Sequence, residues 1–88
     1  AVVNETVLNV SNKSISNLTG LETFISLEIL NCSWNQLTFL PPLPNSLQYL
    51  YCSNNLFSYL PTLPNSLEYL HCNNNQLTCL PNIPTNPK

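Results

Sequence analysis

Charge is almost missing from this 88-residue chain, which has six charged side chains, of which only Lys13 and Lys88 are cations. Two ammonium groups cannot neutralise a phosphate backbone, which excludes nucleic-acid binding, and they make no basic face for anionic lipid. Asp is absent, so the clustered carboxylates of a calcium loop cannot be assembled. Gly20 is the single glycine, which leaves no glycine-rich loop to cradle a phosphate. No apolar run exceeds a few residues, too short to cross a bilayer, so no membrane insertion is expected. Methionine is also lacking and no charged-then-apolar leader opens the chain; a targeting signal was removed or lies outside these residues.

What is present is Leu at 17 positions, Asn at 15, Pro at eight and an apolar share of 43%. That share is too high for a disordered tail and predicts a soluble, folded chain. So short a chain buries a small fraction of its surface, and some device must supplement its core. Cys32, Cys52, Cys72 and Cys79 first suggest disulfides, yet the first three are spaced by 20 and 20 residues. Twenty is the period of most of the chain.

Residues 26–45, 46–65 and 66–85 superpose without a gap, agreeing at 11 of 20 positions for the first pair and 10 of 20 for the second. The shared frame is S-L-x-x-L-x-C-x-x-N-x-(L/F)-x-x-L-P-x-(L/I)-P. With Leu27, Leu30, Cys32, Asn35 and Leu37 in one unit, and their equivalents 20 and 40 residues on, it resembles the leucine-rich repeat family. The tails Leu40-Pro41-Pro42-Leu43-Pro44, Leu60-Pro61-Thr62-Leu63-Pro64 and Leu80-Pro81-Asn82-Ile83-Pro84 are similar to the L-P-x-L-P signature of the bacterial 20-residue subclass, known from secreted effectors of enteric pathogens. The Cys variant resembles repeats of large secreted bacterial proteins and of some giant viruses. The resemblance implies a right-handed coil with short parallel strands on a concave face and extended or 3₁₀ returns on a convex one. It also implies a secreted or cell-surface setting. The ubiquitin-ligase domain carried by many such effectors is not expected, since nothing of that kind follows the repeats.

The residues give the same architecture on their own. Within Tyr49-Leu50-Tyr51-Cys52-Ser53 recurrent apolar residues alternate with variable ones, the period of a strand with one buried face. Twenty residues are too few for a strand and a full return helix, and two fixed prolines per unit impose an extended return. Each turn then adds a strand to a parallel sheet, and stacking supplies the core that no unit buries alone. The fold class is an α/β-type repeat solenoid, mostly β. It forms a single domain over 1–88 with units at 4–25, 26–45, 46–65 and 66–85, a fragment or a partner-capped one.

Asn35, Asn55 and Asn75 fall where each strand ends, and they are read as an inward ladder that bonds the turning backbone of its own rung and the next. Cys32, Cys52 and Cys72 belong to the same structural set. The first unit keeps a different offset, 22 residues, with Leu8, Val10, Lys13 and Ile15 in place of Leu30, Cys32, Asn35 and Leu37. Lys13 means that the ladder does not begin there. Leu18, Leu21, Phe24 and Leu27 recur every third residue and predict a short 3₁₀-like return with Gly20 inside it, similar to internalin-like repeats. Residues 1–6 are read as an edge or partial cap. The edge at Ile83 calls for further sequence or a partner.

No catalytic constellation emerges. His71 adjoins Cys72, but neighbouring strand residues point to opposite sides, which separates them. Glu5, Glu22, Glu28 and Glu68 are spread over three units, with no cleft to pair them across. The chain is read as no enzyme, with no cofactor and no metal. The three stacked cysteines read as free, buried thiols filling the slot of Val10, ahead of a disulfide or a thiolate metal site. Cys79 replaces Phe39 and Tyr59 at a half-exposed position and could pair with a cysteine beyond Lys88. Five N-glycosylation patterns, at Asn4, Asn9, Asn12, Asn17 and Asn31, matter only in a eukaryotic secretory setting.

Function is expected on the outward strand positions. Ile29, Tyr49 and Tyr69 make one column, Asn31, Tyr51 and His71 the next, Ser33, Ser53 and Asn73 a third, and Trp34 flanks them. Rigid rings with polar tips suit recognition, although tyrosines stacked along a sheet also stabilise it. The candidate partner-binding residues are Tyr49, Tyr51, Tyr69, His71, Trp34, Asn31 and Asn73. One reading is a protein-interaction module that takes a macromolecular partner on this face. A second is a structural spacer whose edges join neighbouring subunits, and a third is a glycan-binding surface.

Overall fold

A computed structural model describes residues 4–77. Strands β1 (Val7–Asn9), β2 (Ile29–Asn31), β3 (Tyr49–Tyr51) and β4 (Tyr69–His71) form one parallel sheet in chain order. Leu8 lies beside Leu30, Leu30 beside Leu50 and Leu50 beside Leu70, so the sheet register follows the repeat offsets of 22, 20 and 20. Alternation does what it must: Leu30 and Leu50 are fully buried while their strand neighbours are half-exposed. Ladder bonds continue past each strand, with Cys32 N–H donating to the Tyr51 carbonyl at 2.8 Å and Cys52 N–H to that of His71 at 2.8 Å.

The chain then turns through the left-handed region at Asn12, Trp34, Asn54 and Asn74, with φ of 54°, 59°, 58° and 58°. A second line of rung-to-rung bonds follows, from Gln36 N–H to Ile15, Leu56 N–H to Leu37 and Gln76 N–H to Phe57, each 2.8 Å. Two separated bond lines hold each rung flat on the last.

The return paths of the second and third units are extended, as their prolines require, and drop Leu40, Leu60 and Leu63 into the core. Each closes in a tight turn, where Leu47 N–H reaches the Pro44 carbonyl at 3.2 Å and Leu67 N–H that of Pro64 at 3.1 Å. The first unit instead uses a 3₁₀ turn, Leu21–Thr23. Gly20 stands just before this turn, not inside it, at a φ of 103° that suits only glycine well. At the other end of the chain, the expectations for Cys79 and for the edge at Ile83 lie outside the described residues. No helix among the described residues is long and apolar enough to cross a membrane.

Candidate functional site

The sheet is fixed from behind by asparagine. Asn35 Oδ1 accepts from Lys13 N–H and Ile15 N–H, both at 3.0 Å, while its Nδ2 donates to the Val10 and Cys32 carbonyls at 2.9 Å each. Asn55 and Asn75 repeat this with the Cys32 and Cys52 carbonyls, then the Cys52 and Cys72 carbonyls. The ladder therefore runs backward: each side chain ties its own rung to the preceding one, where the spacing alone suggests a reach to the next. The cause is the turn, which leaves the preceding rung's amides on the side that the asparagine faces. Lys13 holds no place in it except through its backbone. Buried side-chain polar atoms without a partner are absent among the described residues.

The thiols behind the strands are free: Cys32 and Cys52 are buried and Cys72 is half-buried. Burial pushes the Cys32 thiol up to about 12. Burial raises Cys52 further, with like charge from Cys32 and Cys72 adding to it, and burial raises Cys72 as well. Protonated thiols are poor nucleophiles and poor metal ligands. Cys72 in particular turns away from the exposed His71, so the pair offers no activated thiolate.

In front of the strands the rings form two ladders. Tyr49 and Tyr69 stack with centroids 5.2 Å apart at 15°, and Tyr51 and His71 lie 5.0 Å apart at 41°. Tyr69 also meets His71 at 6.3 Å, which links the two columns. Main-chain register brings these rings together, because residues paired across parallel strands share a face. Ile29 and Asn31 continue the columns at β2, and the Asn31 Oδ1 accepts from Ser33 N–H at 3.2 Å.

The third column departs from expectation. Ser53 is only 8% exposed, and its hydroxyl donates to Asn73 Oδ1 at 2.5 Å. That bond engages Asn73 within the sheet and withdraws Ser53 from the surface. Trp34 is 63% exposed and sits in the left-handed slot that Asn12, Asn54 and Asn74 fill in the other rungs. For a bulky aromatic that slot is strained, and the Asn35 side chain, which donates to the Cys32 and Ser33 carbonyls just before it, holds the turn.

A second ladder escapes the spacing argument. Ser46 and Ser66 hydroxyls donate to the Leu27 and Leu47 carbonyls of the preceding rung at 2.6 Å each. Their signal is a serine opening every unit just before an inward leucine. On the proline side a groove of about 570 Å³ runs between Leu43, Pro61, Leu63 and Pro64, and no titratable group lines it. The arrangement as a whole offers a sheet face lined by stacked rings.

Comparison with known proteins agrees with this geometry. The description Leucine Rich repeats (2 copies) matches residues 45–85, and Leucine Rich Repeat matches residues 26–45. No curated protein matches the chain. The solved structure of a Shigella effector leucine-rich repeat domain is similar, with a TM-score of 0.86 and 39% identity over 91% of this chain and 36% of that one. The chain thus spans about a third of that neighbour's length. With matching repeats over residues 26–85 and the backward asparagine ladder that closes each of them, this chain belongs to the leucine-rich repeat family.

Proposed function

We propose that this chain is a non-catalytic interaction module that takes a protein partner on the outward face of its four strands. Leucine-rich repeat domains are in general protein-interaction modules, and the fold is not typically enzymatic. The observation that carries the choice of face is the double ring ladder, Tyr49 on Tyr69 and Tyr51 on His71. These rings are held by the frame without being needed in the core. Trp34, exposed at a strained backbone position, extends the surface at its flank. A secreted or cell-surface setting belongs to the same proposal, supported by the likeness to an effector domain.

The test compares two double variants in partner capture. Tyr51→Ala with His71→Ala removes one ring column; Phe39→Ala with Tyr59→Ala removes exposed rings on the returns. The first pair is expected to abolish capture with the melting temperature within a few degrees of the parent, and the second to leave capture intact. The reverse pattern sinks the choice of face. Capture indifferent to both, together with end-to-end association, returns the chain to the role of a spacer.

A further inference from the structure

We infer that the second outward column is a row of hydrogen-bond donors that takes the main-chain carbonyls of an extended, uncharged segment of the partner; this rests on the binding face proposed above. Register places Asn9, Asn31, Tyr51 and His71 side by side on β1 to β4. The two asparagines have committed their oxygens. Asn9 Oδ1 accepts from Ser11 N–H at 3.0 Å and from the Ser11 hydroxyl at 2.7 Å, and Asn31 Oδ1 accepts from Ser33 N–H at 3.2 Å. With the oxygen turned to its own rung, each amide keeps its Nδ2 free to donate elsewhere. Neither Nδ2 has an acceptor among the described residues. No buried side-chain polar atom there lacks a partner, so the Asn31 Nδ2 reaches solvent, and Asn9 is exposed outright. The Tyr51 hydroxyl and the His71 ring, equally without a bonded partner there, extend the row.

Amides whose oxygens are already taken select a group that accepts and does not donate. A carboxylate is such a group, but the described residues carry Glu5, Glu22, Glu28 and Glu68 against Lys13 alone, so an acidic segment approaches against net repulsion. Sugar hydroxyls donate as well as accept, and the oxygens they would need at Asn9 and Asn31 are occupied. The stacking of Tyr49 on Tyr69 also covers the ring faces between them, on which a sugar would have to lie. A main-chain carbonyl is neutral and only accepts, and its partial negative charge complements the N–H dipoles of the row. An extended segment laid edge-on turns alternate carbonyls to one side and alternate side chains to one flank. On that flank Val7, Ile29, Tyr49 and Tyr69 form the adjoining column, which suits apolar side chains.

Nuclear magnetic resonance titration of the chain with a blocked valine–glycine octapeptide, its glutamate–glycine counterpart and chitotetraose separates the possibilities. The valine–glycine peptide is expected to bind best and to move the Asn9 and Asn31 side-chain NH2 cross-peaks. Asn9→Ser with Asn31→Ser keeps an acceptor for each turn and removes the amides; it should weaken that peptide about fivefold or more, with the melting temperature within a few degrees of the parent. Asn9→Asp with Asn31→Asp, which also keeps the turn acceptors, should weaken it at least as much. Asn17→Ser is the control: Asn17 Oδ1 accepts from Thr19 N–H at 2.6 Å in a turn of the same kind, off the sheet, and its loss should leave binding unaltered. Tighter binding of the glutamate peptide or of chitotetraose at the same cross-peaks overturns the carbonyl and leaves the face standing. Valine–glycine binding that ignores both asparagine pairs but is lost in Tyr51→Ala/His71→Ala overturns the donor row alone. No shift of those cross-peaks by the valine–glycine peptide overturns the inference and leaves the face to the partner-capture variants. Equal binding by the parent, both asparagine pairs and Tyr51→Ala/His71→Ala removes both readings.

Discussion

Asn55 donates from one side-chain amide to two carbonyls at once, 3.0 Å to Cys32 on the preceding rung and 3.2 Å to Cys52 on its own. Its Oδ1 meanwhile accepts from Leu37 N–H at 3.1 Å. Replacing Asn55 by Ala orphans buried groups on both rungs and should lower stability by about 1–3 kcal/mol, read from urea unfolding. Asn55→Asp, which keeps the acceptor and loses the donors, is expected to cost at least as much. A loss below about 0.5 kcal/mol in both would mean that water replaces the ladder.

The buried thiols give the fold an alkaline limit. Burial favours the protonated form in the folded chain, so their contribution is intact below the ordinary thiol value of 9.0 and is lost as pH climbs toward about 12. Cys32→Val with Cys52→Val, which copies the valine that Val10 places in the same slot, should flatten the stability profile above pH 9 while changing stability at pH 7 by less than about 1.5 kcal/mol. Denaturant midpoints across pH 7 to 10 check it, and an unchanged alkaline slope counts against burial as the cause.

Trp34 occupies with φ of 59° a slot that asparagine fills at φ of 54° to 58° elsewhere. Asparagine tolerates that region and tryptophan does not, so Trp34→Asn should raise stability by about 1 kcal/mol and weaken partner capture. A destabilised variant would show that the indole packs more usefully than its exposure suggests.

Ser46 and Ser66 are expected to matter modestly. Ser46→Ala removes a 2.6 Å bond to the Leu27 carbonyl, at about 0.5–1.5 kcal/mol. Ser26→Ala, which has no such hydroxyl bond among the described residues, serves as the comparison and should cost less, as followed by thermal melts.

Much of the solenoid is legible in the chain because its inward residues recur at fixed spacing. Leu30, Leu50 and Leu70 with their cysteines and asparagines announce strand, slot and turn together, and the third-residue spacing from Leu18 to Leu27 announces the 3₁₀ return. What escapes depends on which neighbour a polar atom finds. The burial of Ser53 follows from Asn73 one rung away, and no local pattern encodes that bond. The backward sense of the asparagine ladder depends on where the turn leaves its amides, which spacing does not specify. The left-handed turns at Asn12, Trp34, Asn54 and Asn74 are not announced by the repeated frame, which leaves that position variable, and the strain at Trp34 belongs to the backbone. The ring columns are legible as residue types; their stacking needs the register.

Because each asparagine fastens to the rung before it, the coil has a direction of assembly. The stretch around Lys13 offers two amides and a carbonyl to Asn35 without an asparagine of its own. Every later rung must bring its own clasp. Whole twenty-residue modules should therefore be removable or duplicable without redesign, whereas a cut that separates an asparagine from the carbonyl behind it would leave two broken joints instead of one.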